Sequence, residues 1–310
     1  MVMEMKIKNL KFKNLGSLKA LAGLLYFVSQ TVASLTFALP ENGDVVGEIQ
    51  MTTVRRGESL SEIGRRYDVG IYEMIEANPM VDPWVPAAGS VVLIPTQFIL
   101  PSAPRQGIVL NLAEMRLYHY DPNKPTVTTY PVGIGKKGWS TPLATTTVIG
   151  KKKDPAWVPP ESIRREHRAK GDILPAVVPG GPGNPMGRYA LYLALGEYRI
   201  HGTHKPGGIG VRGSHGCVRL FPEDIQSLYY TVPIGTTVRI IHEPYKIGWH
   251  KNHLYIESHQ PLTEGRYAGS DSLDSLKRAI ERAITGTHTV NWTSAQMAAK
   301  AQKGYPMRID

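Results

Sequence analysis

One cysteine, Cys217, lies in the run His201 to Leu220, which also holds His201, His204 and His215 among glycines and arginines. A thiol becomes a strong nucleophile only as thiolate, so it needs a base or a cation beside it and a backbone that lets a carbonyl approach. Both are at hand here: His215 stands two residues before Cys217, His201 sixteen before it, and Gly216 precedes it directly. Acyl transfer through a thioester is the chemistry this set suits. Two other readings compete. A lone cysteine is often a small buried apolar residue, and His201, His204, His215 and Cys217 equal a zinc site in ligand number. No Cys-x-x-Cys or His-Glu-x-x-His spacing supports the metal, and no apolar run surrounds the sulfur until Val218 and Leu220.

The motif His201-Gly202-Thr203, Pro206, Ile209-Gly210, Ser214-His215-Gly216-Cys217-Val218-Arg219 resembles the signature of the L,D-transpeptidases, enzymes with a YkuD-type catalytic domain, in their Gram-negative branch. Gly208 departs from the serine many members carry there, and Ala144 stands where glycine is usual. The resemblance implies Cys217 as nucleophile and His201 as base and later acid. Gly202, Ser214, His215 and Gly216 shape the turn, with the N–H groups of Gly216 and Cys217 as oxyanion donors. Thr203 and Arg219 are expected to face substrate, Arg219 as a carboxylate receptor or a brace for the loop. The implied reaction attacks a tetrapeptide stem of peptidoglycan, releases D-alanine and passes the acyl group to a neighbouring stem or to a lipoprotein anchored to the wall. No cofactor or metal is needed. A carboxypeptidase or amidase with the same Cys-His site, and a non-catalytic glycan-binding wall protein, are the alternatives.

Positioning those residues falls to a mainly β domain at 107–243, where strand-length apolar segments alternate with Gly/Pro turns; the resemblance implies a YkuD-like β-sandwich. A helix from Pro222 to Tyr229 follows the nucleophile. A basic insertion, Arg164 to Lys170, bracketed by Pro/Gly stretches, suits either a wall over the site or a solvated loop.

Before it, residues 50–96 read as a βααβ unit. Ser59 with Glu62 three residues later marks a helix start, and Asn78-Pro79 ends a second helix. This unit resembles a LysM domain, with sugar contacts expected on the loops after Arg56 and Asn78. Residues 97–106 read as a linker, and 244–310 as a helical C-terminal extension with an apolar stripe at Leu273, Leu276, Ile280 and Ile284.

Residues 1–38 begin with lysines, continue into an apolar stretch and reach Thr36-Phe37-Ala38, a small-x-small site before Leu39-Pro40. They read as an export signal, which places the chain in the periplasm. Net charge is +10 and the pI near 9.5, so an anionic neighbour is expected. Export makes that neighbour wall polymer, and excludes nucleic acid.

Overall fold

The computed structural model describes residues 34–264, 267, 269–284 and 288–310. The expected export signal lies outside them, except for its last residues. These form an ordered strand, β1 (Leu35–Ala38). After β2 (Val45–Gly47) comes the βααβ unit: β3 (Gln50–Thr53), α1 (Leu60–Arg66), α2 (Ile71–Ala77) and β4 (Val91–Ile94). Glu62 N–H donates to Ser59 Oγ at 3.3 Å and Ser59 N–H returns to Glu62 Oε2 at 2.8 Å, closing the capping box that the sequence spelled. Leu60, Ile63, Met74, Val92 and Ile94 form the unit's core, and Val211 of the downstream domain packs against it.

Residues 97–106 are not a linker. β5 (Gln97–Ile99) pairs antiparallel with β2, and Phe98, Ile99 and Leu100 are buried. Apolar side chains in a Pro-containing stretch override the turn signal because their burial is worth roughly 1.5–3 kcal/mol each.

The catalytic domain then runs through β6 (Gly107–Asn111), β7 (Arg116–Tyr120), β8 (Thr126–Pro131), β9 (Ile134–Gly135), β10 (Ala144–Lys153), α3 (Glu161–Ala169), β11 (Tyr189–Leu193), β12 (Arg199–His201), β13 (Arg212–Ser214), β14 (Val218–Arg219), α4 (Pro222–Thr231) and β15 (Thr237–Ile241). One nine-stranded sheet has the order β1-β8-β7-β6-β15-β10-β11-β12-β14. β10 is shared: Ala144–Thr147 pair with β15, and beyond a register break at Val148/Gly150 the strand pairs with β11. A strand that changes partners at a bulge turns a corner between two sheet halves. Ile108, Leu117, Tyr130, Val148, Leu191, Ile200, Val218 and Val238 fill the core. β1 pairs with β8 at the opposite edge, Leu35 against Thr129. The end of the expected signal is therefore corrected: cutting after Ala38 would strip an edge strand from this sheet.

The C-terminal region carries two helices over a small sheet. β16 (Tyr245–His250), β17 (His253–Ser258) and β18 (Met307–Arg308) form a sheet covered by α5 (Leu273–Ala283) and α6 (Trp292–Ala301). Leu276, Ala279 and Ile280 face Leu254 and Ile256, whereas Leu273 at the first helical position is exposed.

The three regions are locked by buried charge. Arg116 on β7 reaches Glu73 on α2 bidentately, at 2.7 Å from Nε and 2.9 Å from Nη2. Lys246 on β16 sits 2.8 Å from Glu114 and 2.7 Å from Glu257, and His259 bridges Glu257 to Glu76 of α2. Those carboxylates hold the His259 imidazole up at about 10 despite its burial. Glu114, Glu257 and His259 are the one grouping of three metal-capable side chains among the described residues, and the Lys246 ammonium already fills its role.

Candidate active site

Parallel pairing of β12 with β14 sets His201 beside Arg219 and Ile200 beside Val218. Cys217, the residue before β14, opens with His201, Arg219, Thr203, His204, Ser214 and His215 into a cavity of about 750 Å3. Its walls are Trp139, Trp157, Tyr198 and the first turns of α3. The basic insertion is thus a helix that forms a cavity wall.

His201 is buried. Its Nδ1 lies 2.6 Å from the Gly202 carbonyl. A carbonyl only accepts, so Nδ1 carries the proton and Nε2 keeps its lone pair. Burial, with the Arg219 charge adding to it, pushes the imidazole down to about 4. It is a neutral base at neutral pH. The Cys217 thiol donates to the Glu197 carbonyl at 3.7 Å, and burial raises its pKa, opposed by the Arg199 N–H and by the charges of Arg199 and Arg219. The resting pair is neutral thiol and neutral imidazole, not a standing ion pair.

Four hydrogen bonds fix the nucleophile turn. Ser214 Oγ donates to the Cys217 carbonyl at 2.5 Å and accepts the Gly216 N–H at 3.0 Å. Thr141 Oγ1 donates to the Gly216 carbonyl at 2.8 Å and accepts the Gly135 N–H at 3.0 Å, which ties the β9–β10 connection to the turn. In this structure the Gly216 N–H donates to Ser214 Oγ. The Cys217 N–H has no acceptor among the described residues. Gly216 has φ +104°, and a Cβ there would sit 2.7 Å from the Tyr198 ring, so glycine is required by the turn itself.

Thr203 lines the cavity, and its Oγ1 accepts the Lys205 N–H at 3.0 Å. Gly202 packs against Ile225, where a Cβ would come within 3.0 Å. His215 Nε2 lies 2.8 Å from Glu166 of α3, and its ring meets Trp139 edge-on with centroids 4.8 Å apart. Glu166, which sequence reasoning missed, also pairs with Lys136 at 2.8 Å and Lys170 at 2.7 Å. These partners hold its carboxyl far below the usual range. The i,i+4 pair with Lys170 is local and unremarkable, but nothing local marks Glu166 for the site, since His215 lies 49 residues on.

Arg219 differs from every other buried cation described here. Burial lowers its pKa, its Nε is buried without a partner, and no carboxylate pairs with it among the described residues. Neutral base, thiol and free guanidinium around one cavity define a cysteine acyltransferase site with room for an anionic substrate group.

The family model for the L,D-transpeptidase catalytic domain matches residues 105–240, and that for the LysM domain residues 52–95. "Probable L,D-transpeptidase YbiS" of Escherichia coli is 42% identical over 97% of this chain and 100% of its own length. "Probable L,D-transpeptidase YcfS" of the same organism is 48% identical over 74% of each chain, and "Probable L,D-transpeptidase ErfK/SrfK" 39% identical over 92% of this chain and 94% of its own. This chain belongs to the L,D-transpeptidase family and is a cysteine-dependent transpeptidase with an N-terminal LysM domain.

Proposed function

We propose that the donor is a peptidoglycan tetrapeptide stem. The Cys217 sulfur attacks the carbonyl between the L-centre of diaminopimelate and the terminal D-alanine, while the thiol proton passes to His201 Nε2. The C–N bond breaks, His201 returns that proton to the leaving D-alanine amine, and a thioester remains. An acceptor amine, from a neighbouring stem or a lipoprotein lysine, gives its proton to His201 and displaces the sulfur. The Cys217 N–H stabilises the oxyanion in both halves, and Arg219 holds a stem carboxylate. The observation that carries this reading is His201, its Nδ1 turned to the Gly202 carbonyl, sharing a cavity with Cys217 and with Arg219, which pairs with no carboxylate among the described residues. The protein would act in the periplasm, exported by a leader that ends before Leu35.

The LysM domain would grip glycan through the loops after Arg56 and Asn78. Met80, Trp84 and Val85 on the second loop are strongly exposed, Trp84 at 69%, a surface suited to sugar stacking. Incubation with tetrapeptide muropeptides followed by mass spectrometry tests the reaction. Dimers formed with released D-alanine are expected. D-alanine without dimers would mean that water is the acceptor, and neither product would overturn the reading.

A further inference from the structure

Asp68, in the turn between α1 and α2, and Asp224, in the first turn of α4, are fully buried, and both carboxyls face the start of β1. One oxygen of each, Asp68 Oδ1 and Asp224 Oδ2, has no partner among the described residues. The charged groups around them are already committed. Arg116 is bidentate to Glu73, Arg65 pairs with Glu223 at 3.2 Å, and Tyr130 on β8 is uncharged at neutral pH. Burial raises both acids, Asp68 to about 6. Two acids pressed together in an apolar seam, with no cation of their own, are costly in either ionised form.

The chain that reaches this pair is β1. Leu35 N–H donates to Asp68 Oδ2 at 3.2 Å, and Ser34 Oγ lies 3.5 Å from Asp224 Oδ1. Just upstream, Val32-Ala33-Ser34 and Thr31-Val32-Ala33 both satisfy the small-x-small rule for leader removal, and a cut after either leaves β1 whole.

We propose that leader removal ahead of Leu35 or Ser34 creates an α-ammonium group that pairs with the buried Asp68–Asp224 carboxyls, so that processing itself completes the junction between the LysM domain and helix α4. In that step a leader peptidase hydrolyses one amide with water. The carboxylate departs with the leader and the new amine protonates in place. One bond then ties three segments: β1, the α1–α2 turn, and the helix that follows the nucleophile loop. The inference rests on the export reading above, and the test separates the two.

N-terminal sequencing of the protein exported from cells reads the leader. A first residue of Leu35 or Ser34 is expected; Leu39, or an uncleaved chain, overturns both export boundary and inference. The chain starting at the residue found is then compared with the same chain carrying a Gly-Ser-Gly extension ahead of it. The free-amine form should melt about 3 °C higher at pH 7, and the difference should vanish in the Asp68→Asn/Asp224→Asn double variant. Equal melting, or a difference that survives both substitutions, overturns the pairing while leaving the leader in place. Should the double variant not fold, trinitrobenzenesulfonate labelling of the free-amine form decides. The buried amine should react at least about tenfold more slowly than in denatured chain, and equal rates overturn the proposal.

Discussion

Two arginines, Arg116 and Arg219, are taken out of water in opposite ways. Arg116 is fully buried and satisfied: Glu73 takes Nε and Nη2, Thr129 takes Nη1 at 2.9 Å, the Asp68 carbonyl takes Nη2 at 3.0 Å, and the Phe98 ring covers the plane at 4.4 Å. Arg219 is half-buried in the cavity with Cys217, and its guanidinium meets no carboxylate among the described residues. A buried cation is costly unless paired. Where the fold supplies the partner, the charge is architecture. Where it withholds one beside a nucleophile, the charge stays open to the stem carboxylate of the proposed donor.

The sharpest break in that comparison is at the nucleophile. Cys217→Ser should abolish transpeptidation and leave the melting temperature unchanged, because the hydroxyl is nearly isosteric and far less acidic; dimer formation by the variant would refute the cysteine mechanism. His201→Ala should lower kcat/KM by two to four decades, ~3–5 kcal/mol of barrier, in a muropeptide assay. A greater loss of thiol alkylation in His215→Ala than in His201→Ala would transfer the base role to His215.

Glu73→Ala strands Arg116 and should cost about 3–5 kcal/mol of folding stability in a urea titration. It breaks the LysM–catalytic junction as well as the pair. A docked LysM domain, not a tethered one, also predicts that deleting residues 50–96 damages activity on soluble muropeptides as much as on intact sacculi. Arg219→Ala should instead leave stability within about 1 kcal/mol and raise KM for stem peptides about 10- to 100-fold, the worth of a charge-assisted hydrogen bond. The pH profile sharpens this. His201 must be neutral to act, so activity should persist as pH falls and fail only near the imidazole's pKa of about 4. Removing the Arg219 charge relieves part of that depression, so the variant's acid limb should move to higher pH. An unmoved limb would separate Arg219 electrically from the base.

The turn around Cys217 was legible in the sequence because it is local. The nucleophile turn is held by bonds among Ser214, Gly216 and Cys217, so its residue types stand side by side in the chain. The capping box at Ser59 and Glu62, and the periodicity of the strands, are short-range for the same reason. Partner choice was not legible. β1 pairs with β8 across the whole LysM domain, Leu35 with Thr129, and alternation along a strand shows which face is apolar but not which strand lies beside it. The same holds for charge. Nothing in the text near Arg116 or Arg219 distinguishes them, since Glu73 lies 43 residues away and Glu166 reaches the site from an insertion. Composition set the number of charges; only the closing of long loops decided which of them were neutralised inside the protein and which was left facing the cavity.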